Sequence, residues 1–185
     1  MRDFLFCNNC IFNYLINIMR PLLLVLSLLF SFSYTFSQHN LNSIKSDKIL
    51  VKNTFNKSYS SGSSKELQNA FGKAKKVIKE RNDEFGGYDY TYKYNGLTVS
   101  FNNGWQATTI TGQDYTVLFN KVAYKVGEHI SKFKNQFSLS YQHRENLRKN
   151  QNALHIMIAN ADAYIYVQYN DSGYITEIEI ANDNS

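Results

Sequence analysis

The sequence predicts an α+β domain: two units, each a helix followed by a three-stranded meander, sharing one antiparallel sheet with the helices on one face. Three observations carry that expectation. A helical apolar period runs from Leu67 to Ile78, two alternating runs flank Asn95-Gly96, and a shorter helical stripe followed by three alternating runs occupies Val126 to Ile180.

Of the 185 residues, 43% are hydrophobic, 19% charged and only one is proline, which is the make-up of an ordinary globular chain. The N-terminal 1–37 stands apart as an export signal. Pro21 to Phe32 is an apolar run of signal-core length, too short to span a bilayer comfortably, with Met19 and Arg20 before it. Small residues in Thr35-Phe36-Ser37 set up a cut after Ser37 that leaves Gln38 as the new terminus. A second apolar stretch, Ile11 to Ile18, and both cysteines, Cys7 and Cys10, come earlier, which points to Met19 as the true start. Were Met1 used, the two stretches together would reach spanning length, although Arg20 interrupts them. No cysteine follows the signal, so a lipoprotein acceptor is missing and the released chain has neither thiol nor disulfide. The expected product is periplasmic or secreted, with no stable membrane anchor once the signal is cleaved.

Residues 38–63 are rich in Ser, Asn and Lys and read as a flexible linker, with a short extended piece at Ile49 to Val51. One ordered domain is expected over 64–185. Ser64 is placed as an N-cap, with Leu67, Ala70, Phe71, Ala74, Val77 and Ile78 on one helical face and Lys73, Lys75, Lys76 and Lys79 mostly opposite. That helix ends before Gly86-Gly87. Tyr88 to Tyr94 alternates strictly, Asn95-Gly96 is a strong hairpin signal, Leu97 to Phe101 answers it, and Trp105 to Thr111 follows another turn. Tyr115 to Tyr124 reads as a connecting strand. The second unit then takes its helix from Val126, Ile130, Phe133 and Phe137, and its strands from Leu154 to Ile158, Tyr164 to Tyr169 and Tyr174 to Ile180.

Parity assigns the faces. A two-residue Asn95-Gly96 loop opposes Tyr92 to Val99 and Tyr90 to Phe101, which puts the Tyr88, Tyr90, Tyr92, Tyr94 stripe in the core rather than on a binding platform. In the second unit, Leu154, Ile156, Ile158, Ile165, Val167 and Tyr169 point inward. His155, Met157, Tyr164, Tyr166 and Gln168 are left facing outward, and aromatic and Met side chains are the types enriched where proteins dock. These five are the candidate partner-binding residues. The competing reading is that the Ser-rich N-terminal segment or a neighbouring strand covers them.

Charge and motifs exclude more than they assign. From Gln38 onward 18 Lys and Arg face 14 Asp and Glu, a mild and dispersed excess. The helix lysines and Arg81 read as a solvated face, Glu80, Asp83 and Glu84 follow directly, and RNA-binding aromatic signatures are absent, so no nucleic-acid partner is expected. There is no His-Glu-x-x-His, Gly-x-Ser-x-Gly, phosphate loop or calcium loop, and His129, His143 and His155 lack metal-ligand spacing. No catalytic residue, metal ligand or cofactor is assigned. A nonlocal pair such as His143 with Glu145 or Asp162 stays open, while Asp171-Ser172-Gly173 reads as a turn.

Val126-Gly127-Glu128-His129-Ile130-Ser131-Lys132-Phe133, with the later Gly173-Tyr174-Ile175-Thr176, resembles the exported modules typified by the β-lactamase inhibitory protein and the small outer-membrane-assembly lipoproteins. The likeness covers roughly residues 125–180. The first unit lacks the Val-Gly step, and neither the inhibitor's disulfides nor the lipoproteins' acylated cysteine has a counterpart. The resemblance implies a non-catalytic protein that binds another protein with an open sheet face. Two function classes are thus carried forward: an exported protein-binding or inhibitor-like module, and a small-ligand-binding or hydrolytic envelope domain with a pocket between helices and sheet. A cavity joining His143 or His129 to a carboxylate would favour the second. A third possibility is an envelope scaffold without a discrete site.

Overall fold

Alternation rather than helical period organises this chain. A computed structural model describes residues 41–60, 62–102, 105–148, 151–159, 161 and 163–183. The expected export segment at 1–37, Met19, the cut after Ser37, Gln38 and Asp162 lie outside them.

The strands, in order, are β1 (Ser43–Lys45), β2 (Ile49–Asn53), β3 (Ser58–Tyr59), β4 (Lys76–Arg81), β5 (Tyr88–Lys93), β6 (Leu97–Phe101) and β7 (Trp105–Ile110). They continue with β8 (Tyr115–Phe119), β9 (Val122–Tyr124), β10 (Glu145–Arg148), β11 (Gln151–Ala159), β12 (Ala163–Tyr169) and β13 (Ile175–Asp183). Helix α1 (Ser64–Phe71), helix α2 (Ser138–Gln142) and 3-10 turns at Ser46–Lys48 and Ile130–Phe133 complete the described elements. The molecule is mainly β, which overturns the expected α+β fold of helix-plus-meander units with helices on one face.

Both predicted helices fail for local reasons. In the first, Ser63 rather than Ser64 caps α1: its hydroxyl accepts from the Glu66 amide at 3.3 Å, and Glu66 accepts from the Ser63 amide at 2.7 Å. After eight helical residues Gly72 takes φ 80° and sends its amide to the Gln68 carbonyl, ending the helix. Beyond it the β-branched pair Val77-Ile78 goes into β4, opposite Tyr92 and Thr91 of β5. The lysines read as a helical face therefore lie around and along an edge strand. In the second, Gly127 at φ 88° keeps Val126 out of any helix, and only the Ile130–Phe133 turn and the short α2 form.

The remaining differences follow from turns. Asn120 and Lys121 adopt φ 49° and 71°, folding the expected connecting strand into the β8–β9 hairpin. The segment read as a linker supplies β1, which pairs parallel with β11, and β2 and β3, which join β8 and β9 in a four-stranded sheet ordered β3-β2-β8-β9.

The other nine strands form one large sheet, ordered β1-β11-β12-β13-β7-β6-β5-β4 with β10 also on β11. Two antiparallel meanders, β4–β7 and β10–β13, meet along their last strands, β7 and β13. The register predicted around Asn95-Gly96 is present: Tyr92 opposes Val99, Tyr90 opposes Phe101, and the Tyr94 amide donates to the Leu97 carbonyl at 2.8 Å. The small sheet, α1 and the Ile130–Phe137 segment cover the inner face of the large one, and their side chains join in a single apolar core. Tyr59 ties the layers with a 3.1 Å hydrogen bond to Gln106. Phe119, Tyr124, Phe133 and Phe137 pack as an aromatic cluster with ring centroids 4.1–6.4 Å apart.

Candidate functional site

Two places on this framework collect side chains able to do more than fill space: the outer face of β11–β13, and a polar groove at the end of β12.

The outer face follows from register. Leu154, Ile156, Ile165 and Val167 are fully buried on the inner side of β11 and β12. Their neighbours alternate outward, where Met157 opposes Tyr164, His155 opposes Tyr166, and Ala153 opposes Gln168. The five residues read from the sequence are thus brought together on two adjacent strands. Met157 and Tyr164 are the most exposed, at 43% and 45%, while His155, Tyr166 and Gln168 are half-buried among their neighbours. The His155 ring meets Tyr166 edge-on at 4.7 Å, which holds both rings upright on the sheet. The described part of the Ser-rich segment read as a possible cover runs along the small sheet, with β1 at the edge of β11.

Strand β13 adds two residues that the sequence reading passed over. Glu179 opposes Tyr166, and Glu177 opposes Gln168, whose side-chain amide donates to the Glu177 carboxylate at 3.0 Å. Burial, helped by repulsion from Glu179, raises the Glu177 pKa. Alternation of Glu177 and Glu179 with Ile178 and Ile180 was the signal that could have found them. The face consequently joins an aromatic and thioether patch to a crowded pair of carboxylates.

The predicted inward tyrosine stripe is graded: Tyr92 is buried, Tyr90 and Tyr94 are half-buried against the core, and Tyr88 is exposed with the Lys79 ammonium 3.8 Å from its ring centre.

The groove has a volume of about 350 Å³ and is bordered by the β12–β13 turn, the start of the Ile130–Phe133 segment and the residues after α2. Its polar lining includes His129, Arg144, Asn152, Tyr169 and Asp171. The turn is fixed by backbone bonds from the Ile130 amide to the Gly173 carbonyl and from the Ile175 amide to the Glu128 carbonyl, at 2.8 and 2.9 Å. Asn152 donates to the Asp171 carboxylate at 3.2 Å. The Arg144 guanidinium stacks 4.2 Å from the Tyr141 ring centre and donates to the Tyr141 carbonyl. Here His129 shares the groove with the Asp171 carboxylate, but His143 does not line it, and the side chain of Glu145 is outside the described set. Asp171 was read only as a turn residue, because nothing local in the sequence brings it to Arg144.

Among the described residues no three His, Cys, Asp or Glu side chains cluster as a metal site would require. No helix among them is long and apolar enough to cross a membrane. Comparisons with protein-family models, with curated proteins and with solved structures found no match.

Proposed function

We propose that this protein is an exported, non-catalytic module that captures another protein with the outer face of β11–β13. The observation carrying the proposal is the pairing of Met157 with Tyr164: two large apolar side chains directly opposed on a sheet whose other side is fully packed, yet each more than two-fifths exposed. An ordinary solvated face would carry charged or small polar residues there. Tyrosine and methionine present broad, adaptable contact area at modest entropic cost, which suits a docking face. Glu177 and Glu179 beside them favour a partner that sets Lys or Arg next to its own apolar anchor.

The test is a double substitution, Tyr164→Ser with Tyr166→Ser, assayed by affinity capture from envelope and culture-medium fractions. The variant is expected to keep its circular dichroism and cooperative unfolding while losing the partner that the unaltered protein captures. Retention of the same partner by the folded variant, or unfolding of the variant, would overturn the assignment. In the second outcome the face would be part of the core.

A further inference from the structure

The polar groove at the end of β12 carries an inference independent of the docking face. It begins with Tyr169, the last residue of β12, which faces inward opposite Asn152 of β11. The side chain is only 5% exposed, and its hydroxyl makes no well-formed hydrogen bond among the described residues, the Arg144 guanidinium reaching it only loosely. A buried hydroxyl without a partner is destabilising, and phenylalanine would fill the same space without that penalty. The loose approach of Arg144 leaves the hydroxyl short of a good partner, and a group bound between the two could satisfy both. Burial raises the pKa of this phenol, and Arg144 opposes the rise by its charge and as a hydrogen-bond donor, leaving the phenol protonated at neutral pH.

The other donors are held in place. Arg144 lies two residues past α2, and its stacking on Tyr141 together with the bond to the Tyr141 carbonyl fixes the plane of the guanidinium. A planar fork held in advance is suited to oxyanions, because little of its freedom remains to be lost on binding. In His129, Nδ1 accepts from the Ser131 amide at 3.2 Å, which places the proton of the neutral ring on Nε2. That Nε2 edge lies over Gly173, where a Cβ would come within 2.4 Å of it. Gly173 also takes φ 81°, so the turn and the approach of the imidazole both require glycine. The Asp171 carboxylate, bonded to Asn152, lines the same groove.

We propose that this groove binds a small oxyanion, a carboxylate or a phosphate, on Arg144, Tyr169 and His129, with Asp171 receiving a hydroxyl or ammonium group of the same ligand. The volume of about 350 Å³ suits a ligand of the size of an amino acid or a sugar acid. One guanidinium and one carboxylate in a shared space favour a ligand bearing both an anionic and a donor end over a bare anion.

The test is an NMR titration of the full chain with sodium acetate, glycine, glucuronate or inorganic phosphate at matched ionic strength, following the amides of Asn152, Tyr169 and Gly173. Saturable shifts in the millimolar range or tighter are expected for at least one compound. The phosphate arm separates that chemistry from the three carboxylates. Arg144→Gln should abolish the shifts, and Tyr169→Phe should weaken binding by about five- to tenfold while leaving thermal unfolding unchanged or improved. Asp171→Asn should remove any preference for glycine or glucuronate over acetate. No saturation by any of the four compounds, or binding that ignores either the Arg144 or the Tyr169 substitution, overturns the proposal.

Discussion

The β11–β12 and β4–β5 hairpins are both antiparallel pairs written in alternating sequence, and they reach opposite ends of the burial scale. In β11–β12 each inward residue from Leu154 to Ile158 and from Ala163 to Tyr169 is buried beneath the covering layer. In β4–β5 only Tyr92 is buried, and Val77, directly opposite it, stays 50% exposed. Alternation settles which side chains share a face. Whether that face is dry depends on what the rest of the chain lays over it, and β4 is the last strand of the sheet. Lysines along such an edge disfavour pairing with another chain, which accounts for Lys76 and Lys79 better than a solvated helix does.

The contrast can be broken most directly by truncation. Ile156→Ala is expected to destabilise by about 2–5 kcal/mol, since it empties a fully buried site, whereas Val77→Ala should stay within about 0.5 kcal/mol. Chemical denaturation of the two variants reads both values, and equal losses would refute the edge-and-centre picture.

Turns sharpen it next. A Cβ at Gly96 would sit 2.4 Å from the Gly112 Cα on a backbone at φ 74°, while Gly86 has a similar φ of 73° with nothing within 4 Å. Gly96→Ala should therefore cost about 2 kcal/mol or more, and Gly86→Ala about 1 kcal/mol from backbone strain alone. The difference in unfolding midpoint isolates the close approach at the β5–β6 turn from the backbone strain at the β4–β5 turn.

Alkali offers a third distinction. Burial pushes Tyr59, Tyr94 and Tyr124 up to about 12, from 10.0. Below pH 10 each is protonated whether the chain is folded or not, and nothing is lost. Above it the unfolded chain releases these protons first, so stability should fall steadily between pH 10 and about 12. Denaturation midpoints across that window should recover partly in Tyr124→Phe, although the variant also gives up the hydroxyl's 2.7 Å bond to Gln136.

The smallest effect concerns the outer face. The raised Glu177 pKa means that its carboxylate is a burden when ionised, so Glu177→Gln should stabilise by about 0.5 kcal/mol at neutral pH. The advantage should vanish as the pH falls well below the ordinary value of 4.5, because the glutamate is then neutral as well. Thermal unfolding at the two pH values measures this.

Much of the large sheet was legible because its cues are local. Asn95-Gly96 set one hairpin, and parity placed Met157 and Tyr164 outside with Val167 inside. The helices were misread because Leu67 to Ile78 satisfies a helical period in full, and the period says nothing about the breaker at Gly72. The linker was misread because Ser and Asn lower strand propensity without forbidding it, and pairing of β2 with β8 supplies what the segment lacks. Of the groove only His129 was named from the sequence as a candidate pocket residue: Arg144, Asn152, Tyr169 and Asp171 are far apart in the chain or on different elements and meet only through the β11–β12 register and the turn after β12.

By itself the sequence determined strand parity, the main hairpin and the residue types of the outer face, all of which depend on side-chain direction repeating every two residues. Only the tertiary structure decided that the Ser-rich segment folds into the covering sheet, that the lysines line an edge, and that a cation, a carboxylate and a buried phenol share one groove. Those outcomes rest on pairings between distant segments, whose free energy is gained only when the partner strand or layer is already in place.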